Sequence, residues 1–96
     1  MTAYFVAQIV LHDAETYAKY TAQTPGIVAD YGGRFIVRGG RWESLEGAEP
    51  GPRVVLIEFP SFEQAQAWYN SDAYQAILPL RQAASTGSAF LVEGAN

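Results

Sequence analysis

The chain has 96 residues, 49% hydrophobic and 17% charged, with a net charge of −4; a disordered chain is excluded, because this much apolar surface supports a core. One Lys and five scattered Arg give no basic patch, so a nucleic-acid partner is not expected, and no run approaches the ~20 apolar residues of a membrane span. The absence of Cys removes disulfide and thiolate chemistry.

Met1-Thr2 leads directly into an apolar segment without a basic n-region or cleavage site, from which a cytoplasmic location is expected. A first strand is predicted over 3–11. Asp13 then caps a helix, with Glu15 in its first turn and Tyr17, Tyr20, Ile27, Val28 and Tyr31 on a helical period. Thr24-Pro25 resets this helix, Thr24 as cap and Pro25 at the first helical position, and Gly32-Gly33 ends it. A second strand covers 34–40, and Gly39-Gly40 marks a bend or a close backbone approach. The Gly- and Pro-containing segment 41–52, around Glu46-Gly47, reads as a flap over a cleft or an arm that contacts a second subunit. A third strand follows over 53–59. Ser61 caps the next helix in a capping box with Gln64, Ser71-Asp72 restarts a second helical segment, and Pro79 bends that segment or limits its first turn. A fourth strand over 88–93 precedes a short tail, Gly94-Ala95-Asn96.

The order strand–helix–strand–strand–helix–strand predicts a single α+β domain over 1–96: a ferredoxin-like βαββαβ fold with a four-stranded antiparallel sheet. Its helices cover one face of the sheet. All four strands are apolar at both parities, which strands covered on two faces require. A second copy is the economical cover, so a homodimer through facing sheets, a dimeric α/β barrel, is expected.

Several stretches together resemble a known family. They are Gly32-Gly33-Arg34-Phe35-Ile36-Val37-Arg38-Gly39-Gly40, Leu45-Glu46-Gly47, Glu58-Phe59-Pro60-Ser61, Ala67-Trp68-Tyr69-Asn70-Ser71 with Tyr74 and Arg81, and Val92-Glu93-Gly94. In order and spacing, over nearly the whole chain, they resemble the domain of unknown function 1330 family. The resemblance implies the dimeric α/β-barrel superfamily, which includes cofactor-free monooxygenases, muconolactone isomerase-like enzymes, haem-handling proteins and stress-responsive small proteins.

The candidate chemistry is sparse. Arg34 and Arg38 share strand parity, and a symmetric pairing of strands 2 and 3 sets Arg34 opposite Glu58 and Arg38 opposite Val54. Opposed Cβ atoms lie about 5 Å apart. Arg34, Arg38 and Glu58 then read as a carboxylate base with arginines that clamp a substrate anion in a cleft, or they form a structural ion pair on a buried sheet. Arg81 either reaches an anionic substrate group or satisfies a helix C-terminus. His12, the one histidine, is a proton shuttle or a strand-end surface residue. Tyr20, Trp68 and Tyr69 either line a cleft for a small aromatic or unsaturated ligand or pack the core. One His and no Cys argue against a metal site, and no cofactor is expected. The expected function is binding of a small organic acid or aromatic ligand between sheet and helices. Either a cofactor-independent isomerase, lyase or monooxygenase uses that cleft, or a non-catalytic, stress-associated dimer does.

Overall fold

The computed structural model describes residues 1–95, so Asn96 of the expected tail lies outside the described residues. The elements run β1 (Ala3–Leu11), α1 (Ala14–Thr21), α2 (Thr24–Asp30), β2 (Arg34–Arg38), β3 (Arg53–Phe59), α3 (Phe62–Tyr69), α4 (Asp72–Ala84) and β4 (Ser85–Glu93). The sheet order is β2-β3-β1-β4, every neighbouring pair antiparallel. This is the ferredoxin-like plan, with each crossover made by a pair of helices. None of these helices is long and apolar enough to cross a membrane.

Short polar side chains start the helices. Asp13 accepts from the Thr16 amide at 3.1 Å and from Thr16 Oγ1 at 2.6 Å. Ser61 accepts from the Gln64 amide and Ser71 from the Tyr74 amide, each at 3.1 Å. Thr24 departs from expectation: it already lies inside α2, behind an N-cap Gln23 that makes no side-chain cap bond. Ala22 and Gln23 keep near-helical backbone, so no extended residue is left to cap, and Thr24 Oγ1 instead donates back to the Tyr20 carbonyl at 2.6 Å. Pro79 sits in the interior of α4, not in its first turn, on the exposed side.

Two strand boundaries also shift. β2 stops at Arg38, because Gly39 turns to φ +68 while its amide still donates to Val54 O at 2.9 Å. β4 begins at Ser85, directly from α4, because the far end of β1 pairs with it as Leu11 opposite Ser85. Between β2 and β3, Trp42 Nε1 donates to Pro52 O at 2.9 Å and ties the base of the segment on which Leu45 is exposed.

The two faces of the sheet differ. On the helix side Ala3, Phe5, Ala7 and Ile9 of β1 align with Val55, Ile57 and Phe59 of β3, and all are buried. Trp68 of α3 sits at the centre with no exposure, its ring 5.1 Å from both Phe5 and Phe59 and 4.3 Å from Tyr74. Fully burying a large apolar side chain contributes about 1.5–3 kcal/mol, which makes this side the source of the fold's stability. The open side carries Val6, Leu56 and Val54, together with Val10, Ile36, Phe90 and Val92, the last four 43–49% exposed. Both parities are therefore apolar, but only one is covered within the chain.

A bulge in β2 overturns part of the symmetric register. Arg34 does face Glu58 and Phe35 faces Ile57, but the next pairs are Val37 with Leu56 and Arg38 with Val55, leaving Ile36 as the extra residue. Arg38 thus pairs with Val55 rather than Val54. It emerges on the helix side, stacked 4.1 Å above the Phe35 ring, while Arg34 stays on the open side.

Candidate functional site

The β2 bulge and the α1–α2 junction enclose a cleft on the helix side, with a cavity of about 30 Å³. Phe5, Ala7, Ile9, Val55 and Ile57 make its apolar floor, as the side-chain alternation of β1 and β3 dictates. Its polar groups are Arg38, Arg53, Arg81, Tyr17, Tyr20, Thr21 and Thr24. The lining contains neither a carboxylate nor a histidine.

Each polar group is held by its own element. Arg53 opens β3 at the parity of Val55, donates from Nε to Tyr17 Oη at 3.2 Å and lies over the Tyr17 ring. Arg38, opposite Val55, is a diagonal neighbour of Arg53, so the two side chains leave the sheet about 7–8 Å apart. Arg81 comes down from α4 and is only 9% exposed, and its Nε is fully buried without a hydrogen-bond partner. Behind the cleft the Tyr20 and Tyr74 hydroxyls meet at 2.7 Å, within the field of the Arg81 charge. Burial pushes both phenols above their ordinary range, so both stay neutral at neutral pH. Thr24 and Thr21 spend their hydroxyl protons on the carbonyls of Tyr20 and Ala18.

The electrostatics are one-sided. Among the described residues the ion pair is Arg34–Glu58, so none of the three cleft arginines has a carboxylate partner. A buried guanidinium without a counter-charge is costly unless something else neutralises it. The cleft can hold an anion, donate to a carbonyl or stabilise an enolate. It holds no group that takes up a proton at neutral pH.

The structure brings Arg38, Arg81 and Tyr20 together and leaves the other candidates elsewhere. Glu58 is on the open side, bonded by Arg34 Nε at 2.9 Å, with Arg34 71% exposed. Glu58 and Arg38, paired as base and clamp in the sequence reading, project from opposite faces of the sheet. Trp68 is core, not cleft lining. Tyr69 packs 5.4 Å from the Tyr74 ring and faces a neighbouring polar groove with Ser85 and Thr86. His12 is exposed at the end of β1, its Nε2 3.4 Å from Thr86 Oγ1. No group of three or more metal-ligating side chains occurs among the described residues. Sequence reasoning missed Arg53, although its parity with Val55 and Ile57 marks it as helix-facing.

Solved structures with this fold are distant in sequence. RPA0582, a protein of unknown function from Rhodopseudomonas palustris, is 19% identical over 99% of this chain and 83% of its own, with a TM-score of 0.80. SnoaB, a cofactor-independent oxygenase from Streptomyces nogalater, is 12% identical over 99% of this chain and 94% of its own, at a TM-score of 0.62. A protein described as an antibiotic biosynthesis monooxygenase from Nitrosomonas europaea is 16% identical over the full length of both chains, at 0.60. These likenesses support the ferredoxin-like fold and, at such identities, the fold alone. No curated protein matches the sequence. Residues 2–95 match the domain of unknown function DUF1330, and the chain belongs to that family.

Proposed function

We propose that the protein is a homodimer closed sheet against sheet, and that each subunit binds a small organic acid with an apolar or aromatic body in its helix-side cleft. The observation that carries the ligand reading is Arg81: a side chain about nine-tenths withdrawn from water, without a carboxylate partner, beside two further arginines and an apolar floor. A bound carboxylate supplies the missing charge. The dimer reading rests on the open sheet face, where Val10, Ile36, Phe90 and Val92 leave an apolar surface that a second copy would cover. On that face Arg34 and Glu58 act as an ion pair.

A second reading makes the bound acid a substrate for a cofactor-independent isomerase, lyase or monooxygenase. It is supported by the likeness to SnoaB and by donors able to hold an enolate. Glu58 and His12 lie outside the cleft, so ionisation would have to come from the substrate's own acidity.

Calorimetric titration with benzoate and hexanoate tests the binding reading. Both acids are expected to bind, with neutral benzyl alcohol and hexanol at least tenfold weaker. Arg38→Ala, at an exposed position, should weaken both acids about tenfold, the loss of one charge-assisted bond, without lowering the melting temperature. Acids that bind no better than the alcohols would sink the proposal.

A further inference from the structure

The three cleft arginines stand at two ends of one apolar floor, and strand pairing sets their places. Arg38 of β2, Val55 of β3, Ala7 of β1 and Ala89 of β4 form one row across the sheet, and Arg53, Ile9 and Gly87 form the row beside it. Arg38 and Arg53 therefore mark the β2–β3 side of the cleft. Arg81 marks the other side. It lies in the last turn of α4, its carbonyl accepts from Ser85 Oγ at 2.7 Å, and the chain runs from there directly into β4. Its side chain also walls the groove over Gly87 and Ala89 of β4. Between β3 and β4 lies β1, whose Ala7 and Ile9 are the floor of the cleft. Two strand spacings, about 10 Å, separate the backbones on either side of that floor.

The charges at both ends are unmatched. Arg81 Nε is buried without a hydrogen-bond partner, Arg53 donates to a phenol, and Arg38 stacks on Phe35. No carboxylate lines the cleft. A single bound carboxylate between Arg38 and Arg53 leaves Arg81 without a counter-charge on the far side of the floor, and one held on Arg81 leaves the other pair bare.

We infer that the ligand is a dicarboxylic acid lying across the strands, one carboxylate received by Arg38 and Arg53 and the other by Arg81, with its carbon chain over Ala7 and Ile9. This rests on the organic-acid reading above and narrows it to one substrate class. The more open pair receives the carboxylate of any acid. Only a second carboxylate of the right reach meets Arg81, where withdrawal from water strengthens a charge-assisted bond. The spacing of the strands fixes that reach, so chain length selects the ligand as well as charge.

The test compares hexanoate, glutarate, adipate, pimelate and hexyl phosphate by calorimetric titration of the intact protein at neutral pH. At least one diacid should bind about tenfold or more tightly than hexanoate, the gain of one further charge-assisted bond, with affinity peaking at one chain length. In Arg81→Met, which keeps an apolar stem, that preference should collapse while the hexanoate affinity stays within about twofold. Diacids that bind no more tightly than hexanoate overturn the inference and leave the organic-acid reading standing. Hexyl phosphate carries its charge at one end; if it matches the best diacid, total charge and not a second pole selects the ligand, and the inference falls. A diacid preference that survives Arg81→Met also overturns it. Failure of every acid to bind removes the organic-acid reading and this inference together. The ligand series on the unmodified protein decides the matter even if Arg81→Met does not fold.

Discussion

The two faces of the sheet are built from the same strands and the same apolar vocabulary, yet they do different work. On the helix side the apolar residues of β1 and β3 are buried under four helices, and the polar groups of the cleft are tyrosines, two threonines and arginines without a carboxylate partner. On the open side the apolar residues are half exposed, and the charges neutralise each other as Arg34–Glu58. A charge on the open side can be screened by water and a neighbouring carboxylate. On the helix side Arg81 is withdrawn from both, while Arg38 stays exposed at the cleft's edge. The contrast separates an open apolar face with a neutralised ion pair from a cleft whose arginines have no carboxylate partner among the described residues.

The largest effect that would sharpen this contrast is expected at Trp68. Trp68→Ala empties the centre of the helix side and should cost about 3–5 kcal/mol, read as a lowered urea midpoint in equilibrium unfolding. Phe90→Ala, on the open side and 49% exposed, should cost the isolated subunit about 1 kcal/mol or less while shifting its sedimentation equilibrium toward monomer. If Phe90→Ala lowered stability as much as Trp68→Ala at every protein concentration, the open face would be serving the subunit's own core and the contrast would break.

The smallest effect lies off both faces, at the start of α1. The Thr16 side chain and amide hold the Asp13 carboxyl below its ordinary pKa of 3.8. A carboxyl held lower in the folded state contributes stability above its unfolded pKa and loses it as pH falls through the folded value. Melting temperature should therefore drop more steeply below about pH 4 in the unmodified protein than in Asp13→Asn. Acid limbs that superimpose would show that this cap adds nothing through its charge.

Much of the architecture was legible residue by residue. Asp13, Ser61 and Ser71 announce helix starts because a short side-chain oxygen meets amides only a few residues ahead. The apolar character of both strand parities is likewise local and foretold one covered and one open face. The site was less legible. Arg34 and Arg38 look like neighbours on one face because alternation is counted along a single strand. The inserted Ile36 breaks that count, and the insertion is visible only once β2 and β3 are laid side by side. Trp68 and Tyr69 are neighbours on α3 and have the same aromatic character as the cleft-lining Tyr17 and Tyr20. Which of them is walled into the core depends on Phe5, Phe59 and Tyr74, which arrive from three other elements.

The sequence by itself determined the element order, the caps at Asp13, Ser61 and Ser71, the ferredoxin-like plan and the apolarity of both sheet faces, since each follows from short-range geometry and the periods of strand and helix. The convergence of Arg38, Arg53 and Arg81 on one apolar cleft, and the removal of Glu58 to the far side of the sheet, were decided only by the tertiary structure. A bulge and a long-range strand pairing choose the face on which a charge emerges, and neither is encoded in the spacing of residues along one strand.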